Sequence, residues 1–173
     1  MTDNVFQEEN NFYQFDFRAA VWATDELHNL FQNSKAGILS DVDFIAETEI
    51  EIILIEYKNA NIPSAVHPEE FKPSEPKRLK KIAYKYYDSW IYLKALSKNK
   101  PIRYVYILEC VNGDSTSRKA IRNKITNLLP FRLQEKLNIP NGMIYSFEVL
   151  SIEEWNTHDI YKKFQITPVV KQK

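Results

Sequence analysis

Glycine is scarce in this 173-residue chain: Gly37, Gly113 and Gly142 are the only three, and no two are neighbours. That spacing excludes the glycine-rich loops that cradle phosphates in P-loop and Rossmann nucleotide sites. Cysteine is scarcer still. The lone Cys110 cannot close an internal disulfide, and "MTDNVFQEENNF" lacks the basic and apolar regions of a signal peptide, so the expected setting is the reducing cytoplasm. Long hydrophobic runs are missing too. Even "IILI" is bounded by Glu51 and Glu56, far short of the roughly 18–20 apolar residues that cross a bilayer, so no membrane segment is expected. Net charge is absent, with 23 Lys and Arg against 23 Asp and Glu, which argues against a uniformly basic coat for nucleic acid. Internal repeats and low-complexity tracts are also lacking.

What is present is ample material for one core: 44% hydrophobic and 13% aromatic residues in a length usual for a single domain, taken as 1–173. The charge is uneven along the chain. Residues 1–58 hold twelve acids against the three bases Arg18, Lys35 and Lys58, whereas 72–103 holds ten bases against Glu75 and Asp88. An acidic part that gathers cations beside a basic part that meets phosphates is one explanation; two oppositely charged solvated faces is the other.

Apolar residues at Ala20, Ala23, Leu27, Leu30 and Phe31 recur at helical spacing and predict a first helix over Asp16–Gln32. "ILSDVDFIAE" and "EIILIEYKN" read as consecutive strands, the second apolar on both faces and therefore central in its sheet. The turn between them, near Thr48 and Glu49, lacks glycine, asparagine and proline, which leaves the pairing register open. Pro63, Pro68, Pro73 and Pro76 make 61–76 an extended loop. A long helix follows from Lys77 to about Ser97, with Leu79, Ile82, Ala83, Tyr86, Trp90 and Leu93 on one side and Lys77, Lys81 and Lys85 opposite. "RYVYILECV" is a strand, "TSRKAIRNKITNLLPFRLQEKLN" a helix broken near Pro130, and "MIYSFEVLSI" a last strand. The class is mixed α/β, a central mixed sheet flanked by helices.

Chemistry gathers in "DVDFIAETEIEIILIEYKNA". Along an extended chain Glu56 and Lys58 share a face, with Cα atoms roughly 6–7 Å apart, and Asp41 and Asp43 share one on the preceding strand about 5 Å away. Carboxylates brought together on an apolar sheet need a cation, and oxygen donors suit Mg²⁺ or Mn²⁺. Carboxylates that hold a metal beside a lysine that stabilises charge are what phosphodiester hydrolysis requires. An isolated E-x-K is also what a structural ion pair at a strand end looks like. Here an acid stands thirteen positions before Glu56 and an apolar strand runs directly into the E-x-K.

On these residues the sequence resembles the PD-(D/E)XK nuclease superfamily, whose hairpin begins one strand with aspartate and ends the next with (D/E)-x-K. The resemblance covers about 16–111 and implies a restriction-endonuclease-like αβββαβ core, with about 112–173 as a C-terminal α/β elaboration. It further implies a metal-dependent nuclease acting mainly on DNA, with Mg²⁺ or Mn²⁺ held by Asp43 and Glu56 and with Lys58 aligning the attacking water. No proline precedes either aspartate, so Asp41 stands as the second choice for the motif aspartate. Glu26 on the first helix is a candidate accessory acid. Where some members carry a glutamine and tyrosine on the following helix, Arg78 and Lys85 are the nearest substitutes here. Lys77, Lys81 and Lys85, with Tyr84 and Tyr87 nearby, form a candidate nucleic-acid contact. A homodimer or a partner protein could supply specificity; the alternative function is a non-catalytic module of the same fold that binds nucleic acid or a protein.

His67 beside Glu69 and Glu70 suggests a metal group, but the proline loop favours an ordinary exposed histidine. His28 and His158 have no partners at recognisable spacing. Cys110, ending an apolar strand, reads as a small buried hydrophobe rather than a nucleophile.

Overall fold

A computed structural model describes residues 4–170. β5 (Ile52–Asn59) is the axis of the fold, with its first six residues buried. It sits third in a five-stranded sheet ordered β3 (Trp22–Thr24), β4 (Phe44–Glu47), β5, β6 (Ile102–Glu109), β7 (Ser146–Leu150). The β3–β4 and β4–β5 pairs are antiparallel, and the β5–β6 and β6–β7 pairs are parallel. A strand covered on both faces has no solvent side to alternate with, which accounts for the continuous run "IILI".

Two apolar layers close over this sheet. Ile52 and Leu54 face α2 (Pro76–Ala95) and α3 (Ser115–Thr126), meeting Leu79, Ile82, Ala83, Tyr86, Ile121 and Ile125. Ile53, Ile55 and Tyr57 face the other way, into Phe15, Phe17, Trp155, Tyr161 and Phe164. That second layer is a small antiparallel sheet, β1 (Val5–Gln7), β2 (Tyr13–Asp16) and β8 (Ile166–Pro168), together with α5 (Ile152–Thr157). The fold is therefore mixed α/β, with helices on one face of the main sheet and a second sheet plus one short helix on the other. No helix among the described residues is long and apolar enough to cross a membrane.

The β4–β5 turn is held by a side chain in place of the missing turn residues. The Thr48 hydroxyl accepts from the Ile50 and Glu51 amides at 3.3 and 3.1 Å and donates to the Glu51 carbonyl at 3.1 Å. This turn fixes the register Phe44↔Ile55 through Glu47↔Ile52. β5 then leads through the proline loop, which contains one 3-10 turn at Pro68–Glu70, into α2, where Pro76 sits in the first turn because its missing N–H costs nothing there.

The charge asymmetry is partly an exchange between the two segments. Lys98 and Lys100 both pair with Glu47, and Arg103 pairs with Glu51 at 2.6 Å, all at the N-terminal end of β5. The opposite end of the strand is left with a different set of charges.

Several expectations are corrected. The first helix is only α1 (Leu27–Asn33), and Tyr13–Asp16 and Trp22–Thr24 are strands. Phe15 and Phe17 are buried while Arg18 is exposed, so this stretch alternates, and Ala20 and Ala23 pack on the second layer as strand neighbours would. The strand predicted from Ile38 begins at Phe44, with Ile38 almost wholly exposed. Between α1 and α2 lie two strands, not three; the third member of the antiparallel set, β3, precedes α1. The strand predicted over 143–152 is β7 and is not the last, since α5 and β8 follow. The break at Pro130 does separate α3 from α4 (Phe131–Lys136).

Candidate functional site

Alternation along β5 turns Glu56 to the same side as Ile52 and Leu54, under α2. It lies at the rim of the apolar layer, only 6% exposed. The cation that meets it comes from α2: Lys85 Nζ is 2.8 Å from both Glu56 oxygens and 3.8 Å from Asp43 Oδ1. Lys85 thus does not share the solvated face expected for it with Lys77 and Lys81, which are exposed; its side chain is turned inward and is only 16% exposed.

Asp43 precedes β4 by one residue, and extending the β4–β5 register by one step sets it opposite Glu56. Its Oδ2 accepts the Tyr57 amide at 2.7 Å, which fixes the carboxylate at the strand end and leaves Oδ1 toward Lys85. Of the two candidate aspartates, Asp43 is therefore the one on the Glu56–Lys85 centre. Asp41 lies further out and binds His28, Nδ1 to Oδ1 at 3.1 Å.

Burial, then the neighbouring Asp43, pushes the Glu56 carboxyl up to about 8 against the pull of Lys85. Asp43 is raised by the same burial, offset by Lys85 and the Tyr57 amide; its side chain keeps 36% of its surface open, and water there tempers the rise. Burial alone would lower the Lys85 ammonium, but Glu56 and Asp43 outweigh it and hold it above the ordinary lysine value.

Asp43 and Lys85 form part of the wall of a cavity of about 530 Å³ at the C-terminal end of β5. The same wall carries Glu8, Glu9, Asp25 and Asp41 as further acids and Lys58 and Lys81 as further bases, so it is negative on balance even before Glu56 beneath it is counted. Glu8 is committed to structure, accepting the Asn10 and Phe12 amides at 2.8 and 2.6 Å. Lys58 is exposed and makes no ion pair among the described residues; its Nζ lies 6.0 Å from the Phe71 ring of the proline loop. It shares the Glu56 side of the strand but projects past the edge of the helix layer.

Other predicted residues stand elsewhere. Glu26 is exposed at the start of α1 and is not in the cavity wall; its neighbour Asp25 is. Arg78 stacks on Phe71 at 4.3 Å, outside the cavity wall, with its Nε buried and without a hydrogen-bond partner. His67, Glu69 and Glu70 do have ligand atoms within 4.8 Å of one another, but all three are exposed. Cys110 is half-buried rather than fully buried, and burial raises its thiol pKa, the reverse of what a nucleophile needs. The residue that sequence reasoning missed is His28. Its partner Asp41 lies thirteen positions away across an irregular segment, a spacing with no sequence signature.

The oxygens of Asp43 and Glu56 are donors of the kind that hard divalent cations take, although with Asp41 they do not form a group of three within 4.8 Å of one another, as His67, Glu69 and Glu70 do. Three carboxylate oxygens, two of Glu56 and one of Asp43, already converge on a single positive centre, and Asp41 adds negative potential that one lysine does not cancel. Comparison with known proteins adds nothing to this geometry: no family model, no curated protein and no solved structure matches the chain.

Proposed function

We propose that this chain is a metal-dependent nuclease that hydrolyses phosphodiester bonds, with DNA the favoured substrate. The observation that carries the reading is the convergence of two acids, the buried Glu56 and the partly open Asp43, on one cation position at the edge of an open cavity that also presents Lys58 and Lys81. The strand arrangement supports it as well. An antiparallel β3–β4–β5 set followed by the parallel β5–α2–β6 crossover resembles the restriction-endonuclease-like core, with α1 inserted between its first two strands.

In this reading Asp43 and Glu56 hold Mg²⁺ or Mn²⁺, which supplies Lewis-acid charge neutralisation and an acidified water when bound. Without such a cation the negative cavity would repel a phosphate. Tyr57 orients Asp43 through its amide, and the buried floor around Glu56 keeps that carboxylate from reorienting. Lys58, free on the cavity wall, is placed to meet developing charge on the phosphate, and the exposed Lys77 and Lys81 are placed for backbone phosphates.

One observation favours a second reading, a non-catalytic module that binds nucleic acid or protein: Lys85 already satisfies both Glu56 oxygens, closing the acid site from within. The test is a panel of single-stranded, double-stranded and branched DNA and of RNA, incubated with Mg²⁺, Mn²⁺ or EDTA. The nuclease reading expects cleavage of at least one substrate, dependent on metal. Retention of a substrate without any cleavage would select the module.

A further inference from the structure

Lys85 is placed where a lysine in a solvated helix face would not be. It comes from the middle of α2, beside the buried Ile82 and Tyr86, and its ammonium makes two 2.8 Å contacts to Glu56 and stands 3.8 Å from Asp43. Two acids, Asp43 and Glu56, face this point with one lysine between them, and Asp41, itself bound to His28, adds negative potential from further out. A divalent ion and an ammonium cannot both sit on the same carboxylate oxygens, because like charges a few Å apart repel and each would take the oxygens the other needs. One must leave. Lys85 can, since it is part of the cavity wall and needs no passage through packed apolar residues. A compact ammonium on a four-carbon stem is also easier to exchange than a guanidinium locked in a bidentate fork.

We propose that Lys85 is an internal counter-ion that holds the cation position between Glu56 and Asp43, yields it to a divalent metal, and then presents its ammonium to the cavity as a contact for substrate phosphate. The last step rests on the nuclease reading; the exchange itself does not. In this scheme Lys85 keeps Glu56 and Asp43 balanced when metal is scarce and weakens the apparent metal affinity by competing for the same oxygens.

The exchange is read by acetic anhydride labelling of the wild-type protein with and without MnCl₂, the saturating concentration being set by calorimetric titration. Peptide mass spectrometry compares Lys85 with Lys80, which is exposed on the same helix and serves as the internal reference. Saturating Mn²⁺ is expected to raise Lys85 labelling several-fold while Lys80 stays constant. In Glu56→Gln, Lys85 is expected to label freely without metal and to gain nothing from it. Binding heat with Lys85 still protected overturns the exchange and leaves the nuclease reading standing, as does a protected Lys85 in Glu56→Gln. Absence of any binding heat in the wild type overturns both. Release of Lys85 by Mn²⁺ in a protein that cuts none of the nucleic acids supports the exchange and removes the nuclease reading.

Discussion

Glu56 and Lys85 form a buried pair whose members answer pH differently, and the difference can be measured. Because the folded Glu56 is raised from 4.5 to about 8, the folded state retains a proton that the unfolded chain has released at intermediate pH. The contribution of Glu56 to stability is therefore complete below about 4.5 and declines as pH climbs through 8. Urea midpoints of the wild type and Glu56→Gln at pH 5, 6.5 and 8 are expected to differ progressively, with the wild type losing ground as pH rises; a constant difference would falsify the assignment. Asp43 acts on the same pair. In Asp43→Ala the loss of the acceptor for the Tyr57 amide costs about 1 kcal/mol. That variant also removes the largest neighbouring charge that raises Glu56, so the pH-dependent decline should shrink in the same urea series. A decline as steep as in the wild type would contradict this coupling. Much of this centre was legible in the sequence, because an apolar strand running into E-x-K forces Glu56 and Lys58 onto one face, and an aspartate thirteen positions earlier falls opposite once the hairpin closes. The direction of Lys85 was not legible. Its position on the helical wheel put it away from the apolar stripe, and only the crossing of α2 over the end of β5 shows that the charged flank of that helix covers the acids.

Among the elements, length and burial decided what could be read. β5 and α2 are long and strongly patterned, and each was recovered nearly to the residue. β1, β2, β3 and β8 have three or four residues each and form two-sided contacts with aromatic side chains, too little sequence for a period to emerge. α5 did carry a signal: Ser151 and Glu154 form a capping box, with Ser151 accepting the Glu154 amide at 3.1 Å and Glu154 accepting the Ser151 amide at 2.8 Å. That spacing, S-I-E-E, ends the strand at Leu150 and starts a helix. Glu154 also receives the Arg118 guanidinium at 2.8 and 2.9 Å, tying α3 to α5 across the end of the sheet. Arg118 is buried and donates further to the Gly113 carbonyl. Arg118→Ala is accordingly expected to lower unfolding free energy by about 2 kcal/mol in urea titration, since the Glu154 left behind is partly exposed. A loss within about 0.5 kcal/mol, the range of an ordinary surface change, would show that the bridge does not fasten these elements.

Across the whole molecule the charges sort to the two ends of β5. At one end Lys98, Lys100 and Arg103 neutralise Glu47 and Glu51, so a good part of the basic segment is spent within the protein. At the other end the acids outnumber the lysines around the cavity, while Lys77, Lys80 and Lys81 remain exposed on the first turns of α2. A zero net charge thus conceals an acidic cavity flanked by a short basic surface. The same distribution separates Lys58 from the structural ion pairs. Lys58→Ala should leave the unfolding free energy from urea titration unchanged to within about 0.5 kcal/mol, since the side chain is exposed and makes no ion pair among the described residues. The most direct measurement is therefore cleavage of DNA by the wild type beside Asp43→Ala and Lys58→Ala, each verified as folded by circular dichroism, in Mg²⁺ and in EDTA. The proposed nuclease function predicts cutting by the wild type in Mg²⁺ alone and a loss of about a hundredfold or more in both variants. Cutting that survives EDTA, or that both variants retain, would contradict it.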